Sequence, residues 1–247
     1  MSEGRTRPPT RHPAHFSKVR VQLGIPARIA ACLFDLDGVI TQTAKVHAQA
    51  WKQTFDEFHV PFEVVPDYAV YVDGKPRVDG VRSVLAARHI EAAPDLVSRI
   101  ATRKDELFLQ LIHQHGVETY DSSVRYVRAA RAAGLKVAVV SSSKNTTEVL
   151  RAARLEHDFD AQVDGNLAEE RHLKGKPAPD TYLTAAEMLH TLAQDAAIFE
   201  DALAGVEAGR AGHFGLVVGI DRAGQADALR RHGADIVIQD LAQLMTG

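Results

Sequence analysis

The sequence predicts an α/β protein: a doubly wound, Rossmann-like parallel sheet, interrupted directly after its first strand by a helical insert. Three observations point there. Residues 29–34 form a short apolar run cut off by Gly38, the pattern of a buried strand. Residues 43–115 then carry helical spacing. From residue 121 onward, apolar runs of strand length alternate with helical stretches, which implies parallel strands covered on both faces.

The elements follow in order. Residues 43–58 place Val46, Ala50, Trp51, Thr54 and Phe58 near helical spacing. A connector with Pro61, Pro66 and Tyr71-Val72-Asp73-Gly74-Lys75-Pro76-Arg77 comes next. Helices are expected over 78–88 and 94–115, the second opened by Pro94, which suits a first turn. Residues 121–133 read as a helix ended by Gly134, 136–140 as a strand, 146–154 as a helix and 160–163 as a short strand. A helix at 179–189, strand at 196–199, helix at 202–211, strand at 215–220, helix at 225–232 and strand at 235–238 complete the alternation. The expected division is an N-terminal extension (1–27), a core (28–42 and 116–247) and a helical cap (43–115).

A chain of 247 residues accommodates one large domain or a core plus a smaller one. A net charge of −3 suggests no nucleic-acid or membrane partner, and no apolar run reaches the length of a membrane span. The single cysteine, Cys32, lies inside the first strand, so no internal disulfide forms and a packing role in a cytoplasmic protein is expected. The first thirteen residues hold Arg5, Arg7 and Arg11 among three prolines. They lack the apolar core of a secretory signal and read as a mobile tail. Val19, Val21 and Leu23 alternate as a short strand would.

The chemistry concentrates at four strand ends. Asp35 and Asp37 sit two residues apart at the end of the first strand, so both side chains reach the same side. Open parallel sheets bind ligands just beyond the carboxyl ends of their strands. Two carboxylates that close repel unless a cation or a shared proton intervenes, and Mg²⁺, which takes oxygen ligands alongside phosphates, suits the pair. The strand at 136–140 runs into Ser141-Ser142-Ser143-Lys144-Asn145 and then a helix, where hydroxyls beside free amides attract anions. Lys174-Gly175-Lys176-Pro177-Ala178-Pro179-Asp180 sets a lysine at a stiff turn, and Glu200-Asp201 close an apolar strand. Each has a plainer reading. The serines would also cap a helix, Lys176 would serve as a surface lysine, and the acidic pair would favour a helix dipole.

Taken in this order, the four motifs resemble the haloacid dehalogenase superfamily of phosphotransferases, and most closely its β-phosphoglucomutase family, over nearly all of the chain after residue 28. Asp35-Leu36-Asp37-Gly38-Val39-Ile40-Thr41 looks like that family's nucleophile loop. Ser141–Asn145, Lys176–Asp180 and Glu200-Asp201 look like its second, third and fourth motifs. In the insert, His47 and Trp51 stand where the family has a cap histidine and tryptophan, and Gly74-Lys75-Pro76-Arg77 where it presents a phosphate-binding arginine. Arg103-Lys104-Asp105 resembles its Arg-Lys-Asn segment. The departures are Gln42 in place of an acidic residue, Asp105 in place of Asn, a longer 164–175 segment and the N-terminal extension.

The resemblance implies a reaction. Asp35 becomes an aspartyl phosphate. Mg²⁺ is held by Asp35, Asp37 through its main-chain carbonyl, Asp201 and Glu200. Ser141, amides near Ser142, and Lys176 hold the transferring group. Asp37 is the general acid/base and needs a raised pKa. Arg77 supplies a second anion site, and His47, Trp51, Lys104, Ser143 and Asn145 line the sugar side. The implied activity is interconversion of β-D-glucose 1-phosphate and glucose 6-phosphate through β-glucose 1,6-bisphosphate, with a bisphosphate primer and a monomer or weak dimer. A sugar-phosphate phosphatase would share the core chemistry, and Arg77 separates the two. A phosphosugar-binding regulator without catalysis is the third reading, although every catalytic acid is present.

Overall fold

The fold is taken from a computed structural model, which describes residues 22–245. Six strands form one parallel sheet: β1 (Ala31–Phe34), β2 (Lys136–Val140), β3 (Ala161–Val163), β4 (Ala196–Glu200), β5 (Leu216–Ile220) and β6 (Ile236–Ile238). Their spatial order is β3-β2-β1-β4-β5-β6. The chain builds outward from β1 on one side, then returns to start β4 on the other. The carboxyl ends of β1 and β4 therefore flank the crevice where open sheets bind ligands.

Residues of β1 are completely buried, and alternate ones feed the two faces of the sheet. Cys32 and Phe34 join Val137, Val139, Ala197 and Phe199 in one apolar cluster. Ala31 and Leu33 join Ala138, Val140, Ala196 and Ile198 in the other. Cys32 is thus a core residue, and burial pushes its thiol up to about 12. Phe34 stacks on Phe199 with centroids 4.5 Å apart, so β1 and β4 are clamped just before their polar ends. Burying one such ring is worth roughly 2–3 kcal/mol.

Between β1 and β2 the chain forms α1 (Ala44–Glu57), a wide helical turn (Val64–Val72), α2 (Arg77–Ala87) and α3 (Pro94–His115). These pack around a third apolar cluster of their own, including Trp51, Phe55, Val81, Leu85 and Ile100. The wide turn was read as an irregular connector from its prolines. It is helical apart from Val65, which is extended. The sheet is covered by α4 (Asp121–Ala132), α5 (Thr146–Ala152), α6 (Gly165–Glu170), α7 (Asp180–Met188), α8 (Leu203–Ala211) and α9 (Ala226–His232). Helix α6 occupies the long 164–175 segment and was not expected. Asp164 caps it by accepting from the N–H groups of Asn166 and Leu167, a start signal too local to stand out in the sequence.

No helix among the described residues is long and apolar enough to cross a membrane. The predicted tail, and the Val19 and Val21 part of the predicted first short strand, lie outside the described residues. Leu23 is buried, and its carbonyl accepts from the Tyr126 hydroxyl at 2.8 Å.

Candidate active site

Strand β1 delivers Asp35 to the crevice almost fully buried, at 6% exposure. The ammonium of Lys176, which enters from the segment before α7, donates to Asp35 Oδ1 at 2.5 Å and to Glu200 Oε1 at 2.6 Å. Glu200, at the end of β4, is wholly buried. It also accepts from the Tyr182 hydroxyl at 2.8 Å and the Ala202 N–H at 3.1 Å. The next residue, Asp201, completes a set of three carboxylates with oxygens within 4.8 Å of one another. Gly38 makes that approach possible. It has φ +87°, and a Cβ there would sit 1.8 Å from Asp201 Oδ2.

One lysine against three buried carboxylates leaves negative charge in excess. Burial pushes the Asp35 carboxyl well up; Lys176 draws it down, and Glu200 and Asp37 push it further up. Asp201 is raised by burial and then by Asp73, Asp35 and Glu200. Such a cluster of hard oxygen donors fits a divalent cation of the Mg²⁺ kind, whose charge would reverse those shifts. Both oxygens of Glu200 already accept hydrogen bonds, so Asp35 and Asp201 are its freer members.

Asp37 faces a different set of groups. Its side chain lies outside the three-carboxylate cluster, and its Oδ1 accepts from the Thr43 hydroxyl. His47 Nε2 lies 3.2 Å from Oδ1, and Ser141 Oγ donates to Oδ2 at 3.4 Å. Behind His47, the Lys104 Nζ sits 2.6 Å from Nδ1. An ammonium can only donate, so Nδ1 accepts and the ring proton lies on Nε2, facing Asp37. The His47 ring stacks on Phe108 at 4.0 Å. Helix α3 carries Lys104 and Phe108 one turn apart, as α1 carries His47 and Trp51, so packing α1 on α3 assembles this chain.

A raised pKa was expected for Asp37, and this arrangement gives the reverse. Burial pushes its carboxyl up, but His47, Thr43 and Lys104 together outweigh it and hold the group down at about 2. Burial and the neighbouring Arg77 charge bring Lys104 down to about 7. His47 is lowered by burial and by Lys104, in keeping with a neutral ring.

Both anion-site candidates are already engaged. Arg77 is the first residue of α2 and pairs with Asp105 of α3. Asn145 reaches the same Asp105 oxygen from the core at 2.7 Å. Ser142 donates its hydroxyl to the Gly74 carbonyl at 2.8 Å, tying the core to the insert, while Ser143 Oγ accepts from the Asn145 N–H. Helix α5 spans seven residues, so its dipole adds little to the anion site.

A single cavity of about 1150 Å³ gathers every predicted site residue except Glu200, which lies beneath its floor. Trp51 belongs both to this wall and to the apolar cluster of the insert, so it packs the insert and lines the cavity at once. The cavity also exposes groups that sequence reasoning left unassigned. Asp73 and Tyr68 reach it from the insert, and burial followed by the Glu200 charge pushes Asp73 up to about 7. Thr43 and Tyr182 had no signal beyond their spacing from Asp37 and Lys176.

A sequence profile described as haloacid dehalogenase-like hydrolase matches residues 29–213. The chain belongs to the haloacid dehalogenase-like hydrolases. It is therefore an enzyme of that superfamily. It is 48% identical over 246 residues to a β-phosphoglucomutase of Mycobacterium bovis, covering 90% of this chain and 94% of that one. It is 34% identical to the β-phosphoglucomutase of Bacillus subtilis, with 87% and 91% covered. Its fold superposes on a crystal structure of β-phosphoglucomutase from Clostridium difficile with a TM-score of 0.74 at 24% identity, over 87% of this chain and 93% of that one.

Proposed function

We propose that this enzyme interconverts β-D-glucose 1-phosphate and glucose 6-phosphate through β-glucose 1,6-bisphosphate. The observation that supports the reading is one cavity lined by two separate groups of charged and polar side chains. Asp35, Lys176 and Asp201 lie on the core side, and Arg77, Lys104 and Asn145 lie toward the insert.

Asp35 attacks phosphorus and becomes an aspartyl phosphate. Lys176 neutralises the nucleophile and then the transferring oxygens, a task that suits a point charge. Asp35 and Asp201, with Glu200 and the main-chain carbonyl of Asp37, would hold Mg²⁺. When bound, the ion offsets repulsion between carboxylate and phosphate and stabilises charge in the transition state. Glu200 is chiefly an anchor for Lys176.

Asp37, held ionised, begins as a base. It takes the proton of the sugar hydroxyl that attacks the aspartyl phosphate, and His47 keeps it aimed. The bisphosphate then turns round. When Asp35 takes the second phosphoryl group, Asp37 returns that proton to the leaving sugar oxygen. The proton is carried from one half-reaction to the other, so a raised pKa in the empty site is unnecessary. Closing the insert over the sugar excludes the water that would hydrolyse the intermediate.

A sugar-phosphate phosphatase is the second reading. The observation in its favour is that the arginine of the second anion site is paired with Asp105. Phosphorus NMR with β-D-glucose 1-phosphate, Mg²⁺ and a trace of bisphosphate primer tests both. Glucose 6-phosphate without free phosphate is expected. Free phosphate as the main product would overturn the mutase reading.

A further inference from the structure

We propose that Asp105 is an internal stand-in for the distal phosphate and sets how tightly the enzyme holds a phosphosugar. The inference rests on the proposed second anion site. The Asp105 carboxylate collects two of the three donors placed at that site. Arg77 comes to it from α2 and Asn145 from the core, both onto Oδ1. Two donors from separate elements thus converge on one carboxylate oxygen in the wall of the cavity.

The geometry is that of anion recognition. A guanidinium and an amide N–H₂ are directed at a negatively charged oxygen, as they would be at a phosphate. Asp105 is only about three-quarters covered, with 28% of its side chain exposed, and Arg77 is similar at 25%. A pair at that depth is neither locked by burial nor fully screened. It opens when a dianion arrives, because phosphate brings more charge and more acceptor oxygens than the carboxylate it displaces.

Two consequences follow. In the empty site, Asp105 holds Arg77 and ties α3 to the core through Asn145. In the loaded site the carboxylate is displaced but remains nearby, and its charge opposes the phosphate. Affinity is therefore lower than the donors alone would give, which also speeds release of a bisphosphate that must leave, turn and bind again. An asparagine at this position would keep the hydrogen bonds without the competing charge.

The test is equilibrium binding of glucose 6-phosphate by calorimetry to wild type, Asp105→Asn, Arg77→Ala and the double variant, at low and moderate salt. Asp105→Asn is expected to tighten binding roughly three- to tenfold, the effect of removing one partly screened like charge. The gain should shrink as salt rises. It should vanish when Arg77 is already gone, since the two residues act as a pair. A merely structural role would weaken binding and would not depend on salt. Unchanged or weaker binding in Asp105→Asn, with Arg77→Ala still weakening it, would overturn the role of Asp105 and leave the second anion site standing. No effect of Arg77→Ala would instead remove the anion site on which the inference rests.

Discussion

The ammonium of Lys104 stands 2.6 Å from Nδ1 of His47, and the opposite ring nitrogen lies 3.2 Å from Asp37. A residue 67 positions downstream in sequence therefore tunes the proposed acid/base through one imidazole. The contact fixes the ring tautomer and joins the state of the insert to the carboxylate at the end of β1.

That chain predicts a separation of functions at Asp37. Asp37→Asn keeps the main-chain carbonyl and the shape of the loop but can take no proton. Turnover should fall by about 10²–10⁴, the usual worth of a positioned acid/base, while calorimetric Mg²⁺ affinity stays near that of wild type. Full activity in the variant would remove Asp37 from the mechanism.

Lys104 predicts a pH dependence. Its folded pKa of about 7 lies below the ordinary 10.5, so it loses its charge as pH rises through 7. Glucose 6-phosphate binding should weaken over that interval, and Lys104→Arg, which stays charged, should flatten the profile. Stability runs the other way. Below pH 7 the native state bears the full cost of a buried charge, and that cost fades between pH 7 and 10.5. Lys104→Met should therefore stabilise the protein more at pH 6 than at pH 9. Equal effects in urea melts at the two pH values would contradict the shift.

Lys176 neutralises two buried carboxylates at once, with 1% of its side chain exposed. Lys176→Ala strands Asp35 and Glu200, a loss of about 3–5 kcal/mol for a broken buried pair. For a chain of this size that amounts to a fall in Tm of roughly 10 °C. Scanning calorimetry with and without Mg²⁺ would show it, and part of the loss should return with the ion. A Tm within about 2 °C of wild type would mean the carboxylates find another partner.

Gly38 predicts a geometric effect at the same centre. Gly38→Ala sets a methyl 1.8 Å from Asp201 Oδ2 at a φ of +87°, so Asp201 must swing away. Mg²⁺ affinity should drop by at least tenfold while far-ultraviolet circular dichroism is preserved. Unaltered Mg²⁺ binding would show that Asp201 has another position from which to serve.

Much of the architecture was legible because it depends on local pattern. The strands at Ala31–Phe34 and Ala196–Glu200 are short apolar runs ending in carboxylates, and the alternation around them dictates a parallel sheet. Helix α3, Pro94–His115, carries both its start signal and its apolar stripe in sequence. Helix α6 was missed because six residues are too few to establish a period. Asp73 has no signal in the sequence, because nothing local says that it reaches the cavity.

The sequence by itself determined the order of the four strand-end motifs and the kind of chemistry they bring: a nucleophile with its neighbouring acid, a hydroxyl loop, a lysine and an acidic pair. Those properties belong to residue type and spacing along single strands. Tertiary structure alone decided the charge state of each group. Asp37 is held down near pH 2 by His47, Thr43 and Lys104, Asp35 is pushed up by burial, and Arg77 is turned toward Asp105. Charge state depends on what lies within a few ångströms in space and on how much water is excluded. Here the neighbours come from both the sheet and the insert, 6 to 141 residues away along the chain.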